Sequence, residues 1–145
     1  MANRDLRTFL NRIEEMGELA RIERPVDPKF EISGYTLAAY LKGKLEREPA
    51  LLFQNVKGFD IPVVTNVFGT FKRLALALDA DEKALFRSLA DRYHRMVQPQ
   101  RVSMGPCKEH IFLGDNVDLL KLPVMWWNEF DAGPYITAGV VITKD

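Results

Sequence analysis

Leu6, Phe9, Leu10, Ile13 and Met16 recur at the three- and four-residue steps of an α-helix, and Gly17 closes the run. This spacing predicts an amphipathic first helix with one buried face. Asn3 is its expected N-cap, and Asp5 suits the positive end of the helix dipole. Residues 19–24 alternate apolar with polar, the pattern of a half-buried strand, and stop before Pro25. After a turn at residues 25–28, a second helix is expected over residues 31–44, presenting Ile32, Tyr35, Leu37, Leu41 and Leu45. Residues 49–56 are almost continuously apolar and read as a central strand, while residues 61–67 read as another with Pro62 at its start, where no ladder donor is needed. A turn through Asn66 and Gly69 leads to a helix carrying Phe71, Leu74, Ala75 and Leu78. Asp79 and Glu82 then have capping-box spacing ahead of a helix with Leu85, Phe86, Leu89 and Tyr93. Consecutive helices beside two or three strands predict an α+β (α/β-layered) architecture, a mixed sheet with flanking helices.

The pattern changes at Gln98. Prolines 99, 106, 123 and 134 and glycines 105, 114 and 133 divide the chain into short extended pieces, a linker and the entry into a second structural unit. Residues 108–113 are expected to form a short strand and residues 118–120 a helical turn. Residues 136–143, rich in Ile, Thr and Val behind Gly133-Pro134, are expected to form the first long strand of that unit. Such a strand needs neighbours, so the chain is expected to be the front part of something longer or to pair with another subunit.

Composition narrows the function classes. Of the 145 residues, 47% are hydrophobic and 28% charged, the balance of a globular protein, and the 20 cations equal the 20 acids. Zero net charge argues against a general nucleic-acid binder, whose affinity comes mainly from phosphate neutralisation. The longest uncharged stretch, residues 132–143, is shorter than the roughly 20 residues of a membrane span. A charged N-terminus without an apolar core and a single cysteine, Cys107, agree with a cytoplasmic location. Charge is uneven along the chain: residues 87–108 carry five cations and one acid, residues 109–145 six acids and two lysines. A solvated helix face followed by an acidic loop accounts for this.

The chemistry-bearing groups are sparse. Cys107 and His110 have the spacing of half a zinc site or of a thiol and its base, but zinc needs four ligands and the other histidine is His94, so an ordinary thiol and a loop histidine are preferred. Residues 64–70 put polar groups and a glycine between strand and helix, where backbone donors could meet a phosphate, yet they lack the spacing of a P-loop or dinucleotide fingerprint and read as a plain turn. Trp126 and Trp127 suit packing better than substrate stacking. Asp115, Asp118, Glu129 and Asp131 read as solvated loop acids. No catalytic or metal-binding residue is assigned.

The order of segments carries a resemblance. Asp5-Leu6-Arg7-Thr8-Phe9-Leu10 with Gly17-Glu18-Leu19, Arg24-Pro25-Val26-Asp27, Pro49-Ala50-Leu51-Leu52-Phe53 with Asn55-Val56-Lys57-Gly58, and Pro62-Val63-Val64 with Asn66-Val67-Phe68-Gly69-Thr70 resemble the N-terminal portion of the UbiD family of decarboxylases. The likeness continues through Arg73-Leu74-Ala75-Leu76-Ala77-Leu78, Leu122-Pro123 and Asp131-Ala132-Gly133-Pro134-Tyr135-Ile136-Thr137-Ala138-Gly139.

The resemblance implies a non-oxidative, reversible carboxy-lyase acting on aromatic or α,β-unsaturated carboxylic acids, with prenylated FMN, Mn2+ and K+, and a homo-oligomeric assembly. Residues 1–112 are similar to the family's N-terminal α/β domain. Residues 113–145 are similar to the approach to, and opening strand of, its flavin-binding split β-barrel. Thr137 resembles the family's strand threonine beside the flavin; the alternative is an ordinary β-branched strand residue. The family's metal-binding Asn, His and Glu and its Arg-Glu-Glu network lie beyond residue 145, so the chain alone is expected to be inactive. The alternative is a stand-alone or split-subunit interaction protein that retains only the N-terminal fold.

Overall fold

The computed structural model describes residues 5–43, 48–95, 97–141 and 143. Strand β2 (Ala50–Phe53) sits between β1 (Leu19–Ile22), to which it is parallel, and β3 (Val63–Thr65), to which it is antiparallel. Leu19 lies opposite Ala50 and Ile22 opposite Phe53, whereas Leu51 faces Thr65 and Phe53 faces Val63. Central placement explains the near-continuous apolar run of β2, whose residues are all buried except the partly exposed Leu52.

Helix α1 (Leu6–Glu15) buries Phe9 and Ile13. Together with Ala50, they pack against Leu19, Val67, Leu76 and Ala77, which brings α3 (Phe71–Ala77) to the same side of the sheet. Helix α2 (Glu31–Gly43) covers the opposite side, where Ile32 joins Val26, Leu51, Phe53, Val56 and Val63, with Tyr35 and Ala39 at the margin. The result is a mixed three-stranded sheet between helices, as the sequence predicts. Helix α4 (Leu85–Tyr93) follows a 3-10 turn at Glu82–Ala84 and buries only Leu85. Further 3-10 turns occur at Pro106–Lys108, Gly114–Asn116 and Leu119–Lys121; Asp118 caps the last by accepting from Leu120 N.

Several local expectations change. Asn3 lies outside the described residues; Asp5 is the N-cap of α1, its carboxylate accepting from the Thr8 amide at 2.7 Å. Asp79 does not cap: it has φ +44°, and Asp81 performs that role for the following turn. Leu37 and Leu41 point away from the core, because the α2 face that meets the sheet runs through Ile32, Tyr35 and Ala39. Leu45 lies outside the described residues. Residues 108–113 end a 3-10 turn and continue irregularly instead of forming a strand.

Residues 136–141 also form no strand: Thr137 and Ala138 make a turn, and no ladder partner is present among the described residues. β propensity alone does not produce a strand without a neighbouring backbone to bond. The split β-barrel is accordingly not seen.

Residues 123–127 return to the sheet domain. Phe30 N donates to Trp126 O at 3.0 Å and Trp126 N to Pro28 O at 3.1 Å, forming an isolated parallel bridge between Lys29 and Trp126. Ser33 Oγ donates to Trp127 O at 2.9 Å, and Tyr135 N to Met125 O at 3.2 Å.

Candidate functional site

Thr137, the expected cofactor contact, is exposed in its turn and lines a hollow of about 250 Å3 with Val64, Leu122, Met125, Tyr135, Ile136 and Ala138 among its walls. The edge strand β3 supplies Val64. The segment docked on α2 supplies Leu122 and Met125, and the Tyr135–Met125 hydrogen bond fixes the approach to Thr137. A largely apolar wall carrying the Tyr135 and Thr137 hydroxyls suits the side of a flat heteroaromatic ring. The hollow is too small to enclose an isoalloxazine with its ribityl phosphate, so these residues fit one wall of a flavin site.

The β3–α3 turn is built for packing. Asn66 adopts φ +60°, its Nδ2 donates to Pro49 O at 3.1 Å, and Gly69 N donates to Asn66 O. Thr70 caps α3 by accepting from Arg73 N. A Cβ on Gly69 would collide with Asn66 Oδ1 and come within 2.5 Å of Glu48 Oε1. Only glycine fits here, and its amide is already engaged by Asn66 O within the turn, which supports the plain-turn reading over a phosphate cradle.

The side chain that organises this turn escaped the sequence reading. Arg73 is completely buried; its Nε donates to Val67 O, Nη2 to Asn66 O, and Nη1 to both Glu48 O and Glu18 Oε2 at 2.7 and 2.8 Å. Apolar periodicity had put Phe71 inward, but Phe71 is exposed and meets Phe86 edge-on. Glu18 also accepts from Lys72 at 2.7 Å. Burial works to raise its pKa, but the hydrogen bonds from Lys72 and Arg73 outweigh burial and hold the carboxyl below its ordinary range.

Trp126 stacks edge-on with Phe30, and Lys29 Nζ lies 4.4 Å from the centre of its indole ring. Both tryptophans are partly buried, in keeping with packing. His110, Asp115, Asp118 and Glu129 are exposed, and the side chain of Cys107 lies outside what is described. Among the described residues no three His, Cys, Asp or Glu side chains converge as metal ligands.

Residues 10–93, more than half of the chain, match the model of the 3-octaprenyl-4-hydroxybenzoate carboxy-lyase N-terminal domain, and residues 100–145 match that of the Rift-related domain of the same carboxy-lyase. Among solved structures, the vanillic acid decarboxylase of Sedimentibacter hydroxybenzoicus in its open form is 35% identical, with a TM-score of 0.80, over 94% of this chain and 30% of that one. The enzyme HmfF of Pelotomaculum thermopropionicum, solved with FMN, is 37% identical, with a TM-score of 0.77, over 92% of this chain and 29% of that one. An evolved dimeric form of HmfF, solved with prenylated FMN, is 36% identical, with a TM-score of 0.77, over 92% and 30%. The chain thus spans about 30% of the length of the structures it matches.

Proposed function

We propose, for a chain that belongs to the UbiD family of carboxy-lyases, that it forms the N-terminal portion of a reversible, non-oxidative decarboxylase of aromatic or α,β-unsaturated carboxylic acids. The observation that carries this reading is the succession of two domains of one carboxy-lyase along residues 10–93 and 100–145. Residues 113–145 are read as the approach to the flavin-binding domain, and residues 1–112 as the α/β domain before it.

Prenylated FMN is the proposed cofactor, by analogy with HmfF. When bound, it supplies an electron sink for the bond between the substrate and its carboxylate. This chain's share is binding and orientation. Val64, Met125, Tyr135, Ile136 and Thr137, which line one hollow, would hold the cofactor, the apolar side chains excluding water and the Thr137 hydroxyl supplying a hydrogen bond. Mn2+ and K+ are the metal ions proposed for the holoenzyme.

The whole enzyme is proposed to be a cytoplasmic homo-oligomer; among the described residues no helix is long and apolar enough to cross a membrane. A split-subunit arrangement, in which a separate polypeptide supplies the barrel, is the second reading.

Supplied alone with prenylated FMN and manganese, the chain is expected to show neither decarboxylation nor stoichiometric flavin absorbance. Joined in frame to the part of HmfF that follows the matched region, it is expected to bind flavin, and Thr137→Val is expected to lower that occupancy severalfold. Decarboxylation by the isolated chain, or a folded chimera without flavin, would overturn the reading.

A further inference from the structure

On the outer side of α2 lies a second hollow, of about 720 Å3, which shares no lining residue with the one beside Thr137. Its volume falls within the range of small-molecule sites, about 300–1,000 Å3. Phe30 and Tyr40 line it from the sheet domain, and Trp127 and Phe130 from the returning segment. These walls are fixed by backbone bonds. Trp127 O accepts from Ser33 Oγ, Phe30 N donates to Trp126 O, and residues 128–131 close a turn in which Asp131 N donates to Asn128 O and Asn128 N to Asp131 Oδ2.

The polar inventory defines the ligand. Glu129 is the one charged residue among those lining the hollow; it is exposed and makes no ion pair among the described residues. The Ser33 and Thr36 hydroxyls are already engaged, Ser33 with Phe30 O and Trp127 O, Thr36 with Ile32 O and Thr65 Oγ1, and Asn66 Nδ2 donates to Pro49 O, so that the Tyr40 hydroxyl and the Asn128 side-chain amide are the remaining neutral donors. No lysine, arginine or histidine stands among the lining residues to receive an anion. Aromatic faces carry negative potential, so several rings beside one free carboxylate select an organic cation whose shell of bound water is weak. One lining ring already meets an ammonium in this way, Lys29 Nζ lying 5.4 Å from the centre of Phe30 as well as over Trp126, which leaves Tyr40, Trp127 and Phe130 to a ligand.

We infer that this hollow is a binding site for an organic ammonium ion carrying an aromatic or alkyl group, with the rings taking the apolar part and Glu129 the charge. The inference goes beyond the decarboxylase reading and stands independently of it, because it concerns a different hollow and is read on the 145-residue chain itself.

Three probes of similar size and different charge test it: benzyltrimethylammonium, benzyl alcohol and benzoate, titrated into 15N-labelled protein. The ammonium ion is expected to shift the amides of Ser33, Gly34, Trp127 and Asn128 saturably and to bind most tightly, with benzoate weakest. Glu129→Gln, at an exposed position where folding is not at stake, is expected to weaken the ammonium ion about fivefold, the Coulomb attraction across about 4 Å of water, and to leave benzyl alcohol unchanged. The inference is overturned by absence of those shifts, by benzoate binding as tightly as the cation, or by a Glu129→Gln protein that retains full affinity for the cation.

Discussion

Arg73 has its guanidinium wholly out of water, and its hydrogen bonds reach three backbone carbonyls and one carboxylate. Those carbonyls belong to Glu48, just ahead of β2, and to Asn66 and Val67 in the β3–α3 turn, and the carboxylate to Glu18, just ahead of β1, so one side chain fastens three parts of the chain. Arg73→Met keeps much of the volume but strands these acceptors. Removing one partner of a buried, hydrogen-bonded charge costs about 3–5 kcal/mol, and urea unfolding is expected to show a loss of that size. Lysine would be no substitute, since a point-like ammonium does not reproduce the planar fork.

Glu18 gives the same cluster a pH dependence. Its folded pKa is lowered, so the stability it confers is complete above its unfolded value of about 4.3 and is lost as pH falls through the lower, folded value. Urea midpoints followed from pH 6 to pH 3 are expected to drop less steeply for Glu18→Gln than for the unaltered protein; parallel curves would refute this assignment.

At the scale of elements, legibility followed locality. Helix α1, the central position of β2 and the helical turn after Asp118 were readable because each rests on spacing or capping within a few residues. What the sequence concealed depends on partners distant along the chain. Periodicity turned Phe71 inward, yet the sheet domain accepts Arg73 there because Glu18, 55 residues away, supplies the counter-charge. Leu37 and Leu41 keep helical spacing with Ile32, yet the face meeting the sheet runs through Tyr35 and Ala39, and an apolar helix such as α2 gives little indication of which way it turns. Residues 136–141 have strand-forming composition without a ladder, because pairing is supplied by a neighbour and not by propensity. For the same reason Thr137 was identified only through the resemblance, and neither hollow, each assembled from segments far apart, could be read from spacing.

The molecule as a whole carries its apolar surface unevenly. Ile111, Phe112, Leu113, Leu119 and Leu120 are exposed, and Val140 and Val141 are 86% and 88% exposed on backbone that joins no sheet. Unpaired, β-prone backbone of this kind invites pairing with another copy. The chain is expected to self-associate with rising concentration in sedimentation velocity, and Ile136→Lys with Val140→Lys to shift it towards monomer; a wild-type chain that stays monomeric would refute the expectation.

The bridge between Lys29 and Trp126 has a different bearing, on the order in which the molecule is made. It closes a loop of about a hundred residues, so its entropic cost exceeds that of the shorter loops that bring β1, β2 and β3 together. Synthesis proceeds from the N-terminus, and the seat formed by residues 28–30 has left the ribosome well before Trp126 is added. The nascent chain therefore passes through an interval in which the ring of Phe30 awaits its cover, until the indole of Trp126 arrives.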